Sequence, residues 1–336
     1  MPQHLETDVA IVGAGPTGLF AVFELGMLKL SSVLIDALAE VGGQCTALYP
    51  EKPIYDIPAH PAIEAGALIT RLEEQIAPFA TPRLLGRQVN GLSGQAGDFM
   101  LTTDQDDTIK AKAVVVAAGA GAFGPNRPPL DDLPAYEATG AVQYYVRRRE
   151  DFRNKRVVIA GGGDSAVDWA LALKDIARVS VVHRRPKFRA APESAAQLDE
   201  AARRGEIEMV IPYQLHALQG SDGVLSAVVV ATLDGETRAL PADSLLPFFG
   251  LSMDLGPIAA WGMQQAMHHV TIDPATCQTS IPGIFAIGDV AAYPGKLKLI
   301  LQGFSEAAVA AHAIFPIVHP GEALHFEYST SKGVPG

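Results

Sequence analysis

Two short segments carry glycines at a spacing that chemistry can use. Residues 13–18 read Gly-Ala-Gly-Pro-Thr-Gly, and residues 161–166 read Gly-Gly-Gly-Asp-Ser-Ala. Each follows a short apolar run, Val9 to Val12 in the first case and Val157 to Ala160 in the second, and each opens a longer apolar stretch. The pattern predicts strand, turn and helix twice over. In the first turn, Gly13 permits the tight reversal, Gly15 lets the backbone approach a pyrophosphate, and Gly18 lets helix and strand pack closely. The free N–H groups and the positive end of the helix dipole then face the phosphates. The next strand, "SVLID", ends at Asp36, 18 positions after Gly18, where a carboxylate can accept ribose hydroxyls. A strand-to-helix turn with no ligand satisfies the glycines alone. The strand, helix and acid in register argue for the dinucleotide.

The second unit differs where the acid should be. After Gly161, Gly162, Gly163, Asp164 and Ser165 comes a helix, then the strand "VSVVH", which ends in His183, Arg184 and Arg185 with Lys187 and Arg189 close behind. Guanidinium groups pair bidentately with phosphate oxygens, so this end suits a 2′-phosphate and hence NADPH. A solvated basic loop is the alternative. Two such units imply two dinucleotides, and the first, with its acid, suits FAD. Two further stretches agree. "AVVVAAGAGAFGPN" reads as a buried strand entering a glycine-rich crossover. "IPGIFAIGDVAAY" reads as a strand ending at Gly288-Asp289, where Asp289 can bond a flavin ribityl chain, and a helix from about 303 to 315 follows.

The elements that must position these residues need more than one core. A chain of 336 residues with 48% hydrophobic content predicts two domains. A net charge of −11 argues against general nucleic-acid binding. Only two cysteines occur, Cys45 and Cys277, which excludes a disulfide framework and fits a reducing compartment. The start "MPQHLETDVA" lacks the pattern of a signal peptide. The late apolar run "AAVAAHAIFPIVH" is broken by His312 and Pro316, and on this reading is too short to span a bilayer. The expectation is a soluble, cytoplasmic protein with no membrane and no nucleic-acid partner. No GxSxG elbow occurs, and the nine histidines show no ligand spacing, so no metal site is expected. The adjacent pair His268-His269 suits a surface turn.

With GxGxxG and a distant "IFAIGD" bracketing an inserted "GGGDSA…HRR…FRA" unit, nearly the whole chain resembles the thioredoxin reductase-like flavoproteins of the pyridine nucleotide–disulfide oxidoreductases. Within that group, "GGQCTALYPEKPIYDIPAHP", "AAGAGAFGP" and "GGGDSAVDWAL" resemble the bacterial ferredoxin–NADP⁺ reductases of thioredoxin reductase type. The resemblance implies an α/β fold with two Rossmann-like domains. The FAD domain is expected at 1–118 and 280–320, the NADPH domain at 124–276, and a tail over the flavin at 321–336. The departures are equally informative. Thioredoxin reductases carry CxxC just before the second glycine turn, and residues 143–160 hold no cysteine. Glutathione reductase-type enzymes carry two cysteines five positions apart, but Pro50 stands where the partner of Cys45 would be.

Without a dithiol, electrons must leave for a separate molecule, and the resemblance favours ferredoxin or flavodoxin. A quinone or oxygen reductase, or a flavin sensor without turnover, remains open. Carriers of this kind are acidic, so a local basic patch is expected. Arg147, Arg148, Arg149, Arg153, Lys155 and Arg156 supply one candidate, with Lys296 and Lys298 near the flavin edge; a solvated helix face is the alternative for the arginine run. By resemblance Tyr49 stacks on one flavin face and Tyr328 on the other, with Ser329 and Thr330 offering hydroxyls; a disordered tail is the alternative. Thr17, Gln44, Val89 and Phe123 are carried over in the same way, Thr17 and Gln44 to the pyrophosphate or ring, Val89 through its backbone to adenine, and Phe123 beside the flavin. The resemblance also implies a homodimer.

Overall fold

His4–Val12 is buried from Val9 onward, with exposures of 0 to 7%, because it runs between parallel neighbours on both sides. The computed structural model of the chain describes residues 2–324 and Gly333, with backbone alone at 122–123 and 251–253. Two compact units result, Met1–Phe123 with Met253–Gly336, and Gly124–Ser252.

The first unit is built on a seven-stranded sheet. Its order is Arg83–Leu85, Ser32–Asp36, His4–Val12, Thr108–Val116, Asp98–Thr103, Val89–Gln95. The strand Thr108–Val116 has two kinds of neighbour. Its first half pairs antiparallel with Asp98–Thr103, and its second half pairs parallel with Ile284–Ala286. Val89–Gln95 and Asp98–Thr103 form an antiparallel hairpin, whereas Arg83–Leu85 joins Ser32–Asp36 in parallel. Helix Pro16–Met27 packs on helices Ala65–Ile76 and Ile300–Val318.

The second unit is a four-stranded parallel sheet, ordered Ile207–Val210, Arg178–Val182, Arg156–Ala160, Ser244–Pro247, with an antiparallel sheet of Gln214–Ser221, Val224–Ala231 and Thr237–Pro241. Both sheets have the strand–turn–helix start that the glycine patterns predict, which makes the fold α/β with two dinucleotide-type units.

Two expectations need correction. The second domain was placed at 124–276, but its compact unit ends at Ser252. Leu255, Ile258, Met263, Val270 and Ile272 are buried in the core of the first unit, and His269–Thr271 pairs in parallel with Ala291–Ala292. The His268 turn links this short strand to Gln265–Ala266, with Met267 and His268 both at positive φ. The late apolar run was read as broken and too short for a bilayer. It lies within one continuous 19-residue helix, Ile300–Val318, which by length and composition alone is long and apolar enough to cross a membrane. His312 does not interrupt the helix, and Pro316 falls in its last turn, where few bonds are forfeited. Its buried stripe, including Gly303, Glu306, Ala310 and Ile314, belongs to the core of the first unit.

Candidate functional site

A cleft of about 420 Å³ opens in the first unit at the carboxyl end of its parallel strands, within the range of roughly 300–1,000 Å³ usual for small-molecule sites. The glycine turn forms its floor. Gly13 has φ +115°, and a Cβ there would lie 2.3 Å from the Ala117 carbonyl oxygen. A Cβ on Gly18 would lie 1.9 Å from the oxygen of Gly13. These two glycines are required by the fold itself. Gly15 is different, since a Cβ there would meet nothing within 4 Å, and the open space is the cleft. Gly15 caps helix Pro16–Met27 without any side-chain cap bond, and Pro16 has no N–H to satisfy. Orphan N–H groups of the first turn are thereby left beside Gly15, Pro16 and Thr17, all of which line the cleft.

Asp36 stands at the cleft wall, as its strand-end position requires. Its carboxylate accepts the N–H of Ala14 at 2.6 Å and of Leu38 at 2.8 Å. Burial pushes its pKa up, against those two bonds. The acid therefore holds the glycine turn in shape, and its remaining lone pairs can still accept hydroxyls. The loop Gly42–Tyr49 is tied over the turn by the Gly42 N–H, which donates to Ala14 O at 2.7 Å, and it brings Gln44, Cys45 and Tyr49 to the cleft. The Tyr49 hydroxyl donates to Gln44 Oε1 at 3.5 Å, and burial pushes its phenol up, so it stays protonated. Thr17, Val89 and Asp289 also line the cleft. Phe123 lies in the strand Ala122–Pro125, and its side chain is outside the described residues, as are Tyr328, Ser329 and Thr330.

Both cysteines are free and buried. Burial, reinforced by Asp289, pushes the Cys45 thiol up to about 12. Burial, reinforced by Glu306, does the same to Cys277. Neither group presents a thiolate near neutral pH, which is the nucleophile that thiol–disulfide exchange needs.

The second turn uses the same backbone logic with different surroundings. Gly161 has φ +151°, and a Cβ there would sit 2.7 Å from Phe248 O. A Cβ on Gly162 would enter the His183 ring, which lies 4.8 Å from the ring of Phe188. Gly163 caps helix Asp164–Leu173 with open space above it, and Ser165 falls in that first turn. Asp164 Oδ1 accepts the Ala191 N–H at 2.8 Å, and the Arg189 N–H donates to Gly162 O at 2.7 Å. These bonds draw the basic segment back onto the turn. Burial, then the neighbouring Arg184, Arg189 and Arg185, hold the His183 pKa below its usual range despite an opposing backbone bond at Lys187, which favours the neutral ring. Arg184, Arg185 and Arg189 are exposed and have no carboxylate partner among the described residues.

The expected docking cations fare unevenly. Arg153 forms a double hydrogen bond with Glu150, Arg156 pairs with Asp243, and Lys155 sits over the Phe152 ring. Arg147 lies over the Tyr145 ring, so at least four of the six cations are engaged locally. Lys296, expected near a flavin edge, is buried against Glu306. Lys298 is exposed. Sequence reasoning missed Leu255 to Ile258, Leu299 and Ile300 as cleft residues. The first four had been placed in the other domain, and their one local signal was Gly256, at φ +54°. Among the described residues, no group of three or more metal-ligating side chains gathers.

A turn held by an acid beside an open cleft and a second turn with exposed cations define a protein that carries two dinucleotides. The residues of the cleft fit FAD, given the open Gly15, the uncapped helix start and the Asp36 and Asp289 carboxylates. Residues 7–313 match the family described as pyridine nucleotide-disulphide oxidoreductase. A ferredoxin–NADP reductase of Granulibacter bethesdensis is 76% identical over 336 residues, covering 100% of this chain and 96% of that one. That of Acidiphilium cryptum is 74% identical, covering 100% and 99%. Among solved structures, Lactococcus lactis thioredoxin reductase is similar with a TM-score of 0.80 at 24% identity, covering 93% of this chain and 99% of that one. The chain belongs to the pyridine nucleotide-disulphide oxidoreductase family.

Proposed function

We propose that the chain is a ferredoxin–NADP⁺ reductase, passing electrons between NADPH and an acidic one-electron carrier, ferredoxin or flavodoxin. The observation that carries this reading is a dinucleotide cleft with no dithiol beside it: Cys45 is buried and free, and Pro50 stands where a partner would be. Bound FAD supplies the chemistry, taking up a hydride and releasing electrons singly.

The residues of this chain bind and orient. Gly13, Gly15, Thr17 and Gly18 present the helix start to the FAD pyrophosphate, with Gln44 alongside. Asp36 accepts ribose hydroxyls, Val89 meets adenine through its backbone, and Asp289 accepts from the ribityl chain. Tyr49 covers one ring face. Phe123 and the tail residues Tyr328, Ser329 and Thr330 complete the reading, the last three as a cover on the other face. In the second unit, Gly161, Gly162, Gly163, Asp164 and Ser165 receive the NADPH pyrophosphate. Arg184, Arg185 and Arg189 take the 2′-phosphate, and the neutral His183 ring supports the turn. Such catalysis is mostly positioning, and no general base is needed for hydride transfer. A homodimer and a cytoplasmic location belong to the same proposal.

Steady-state reduction of cytochrome c by NADPH, with and without added ferredoxin, tests it. Strong dependence on ferredoxin, weakened by salt, is the expected result. Vigorous reduction of oxygen or a quinone without any carrier would replace this function with that of a small-acceptor reductase.

A further inference from the structure

Glu306 is a carboxylate in the core of the first unit, 3% exposed, in a helix that holds no other Asp, Glu, Lys or Arg. A buried charge is costly unless paired and hydrogen-bonded. Three donors converge on it. The Gly288 N–H donates to Oε2 at 2.7 Å, the Tyr293 hydroxyl donates to Oε1 at 2.6 Å, and the Lys296 ammonium pairs with the same oxygen. Gln302 in turn donates to the Tyr293 oxygen at 2.9 Å. Lys296 is as buried as its partner, with side-chain exposures of 7 and 4%.

What this cluster holds is the cleft. Gly288 is in the left-handed region, φ +74°, and a Cβ there would press on Thr17 Oγ1 at 3.1 Å. A Cβ on Gly303, in the first turns of the helix that carries Glu306, would lie 2.4 Å from the same oxygen. The Gly288 turn thus has no slack, and its N–H is fixed by Glu306. The next residue is Asp289, at the cleft wall. On the other side, Tyr293 and Lys296 pin the segment that returns to Leu299 and Ile300, which also line the cleft.

We propose that Glu306, with Lys296 and Tyr293, is the positioning group of the cofactor cleft: it sets the Gly288–Asp289 turn and the Leu299–Ile300 wall, and its balanced charge sets the electrostatic level there. The proposal rests on the reading of the cleft as the FAD site. Removing the carboxylate leaves a buried cation beside the wall, and removing the cation leaves a buried anion. The two changes move the field in opposite directions, which a merely structural group would not do.

The full-length protein, stripped of cofactor, is titrated with FAD, and the reduction potential of the bound cofactor is measured at neutral pH. Glu306→Gln is expected to weaken FAD binding by about tenfold or more and to raise the potential. Lys296→Met is expected to lower it. The double variant Glu306→Gln/Lys296→Met, with no buried charge to balance, is expected to recover much of the affinity and a potential near wild type. Unchanged affinity and potential in Glu306→Gln, or shifts of the same sign in both single variants, would overturn the proposal. If Glu306→Gln does not fold, Lys296→Met decides, since a lowered potential supports the proposal and an unchanged one overturns it. Wild-type protein that takes up no FAD would overturn the cofactor reading, and this proposal with it.

Discussion

The two glycine turns start from one backbone design and end in opposite surroundings. At the first turn, three glycines are fixed by different causes: Gly13 and Gly18 by contacts with Ala117 and with each other, Gly15 by the open cleft. At the second, Ala166 stands in the place of Gly18, and the ring of His183 fills the space above Gly162. The first turn is closed by a half-buried carboxylate that accepts the N–H of Ala14 in the turn and of Leu38 beyond it. The second leads to exposed guanidinium groups that have no carboxylate partner among the described residues. The two turns share a backbone design and differ in the residue that ends the next strand, a difference on which the proposed choice between the two dinucleotides rests.

Substitutions divide along the same line. Gly18→Ala should have the largest effect, because its Cβ would collide with Gly13 O at 1.9 Å. A loss of about 2–4 kcal/mol in stability and loss of FAD are expected, read from thermal unfolding and flavin absorbance. Gly163→Ala, whose Cβ meets nothing within 4 Å, should change stability by under about 1 kcal/mol and weaken NADPH alone. Equal damage from both would mean that the two turns do not differ as described.

Next comes Arg184→Ala with Arg185→Ala. A lost phosphate pair costs about 1.5–3 kcal/mol, or roughly 10- to 150-fold in the KM for NADPH, with little change for NADH. Parallel losses with both cofactors would remove the 2′-phosphate assignment.

The smallest effect is expected at Asp243. Its hydrogen bond from Arg156 holds its pKa below the usual range, and the Arg156 N–H donates to the same carboxylate. A depressed folded pKa stabilises above the unfolded value, and that stability is lost as pH falls through the folded one. Asp243→Asn should therefore lower stability slightly at neutral pH and leave strongly acid pH unchanged, which flattens the acid limb of the stability–pH curve by the same small amount, since the pair is largely exposed.

Much of this was legible in the chain because it is local. The two turns, Asp36 and the His183-Arg184-Arg185 end lie within a few dozen residues of one another in each unit, and their spacing reports strand, turn and helix directly. The boundary at 252 was not legible. Val270 joins the first core through a strand of three residues that pairs with Ala291–Ala292, a long-range choice with no local signature. The pairing of Glu306 with Lys296 was not legible for a related reason. A lone carboxylate in an apolar helix and a lysine in a loop both suggest solvent, and only the fold shows that each is the other's partner. Pro316 and His312 looked like breaks because the pattern cannot show that one falls in a last turn and the other is tolerated within the helix.

The central claim is that electrons pass through FAD without any internal disulfide, and counting them tests it most directly. Anaerobic reductive titration of the purified holoprotein should consume about two electrons per FAD, with Cys45 and Cys277 unchanged by the end. Uptake of about four, as a flavin coupled to a redox-active disulfide would require, would contradict the account.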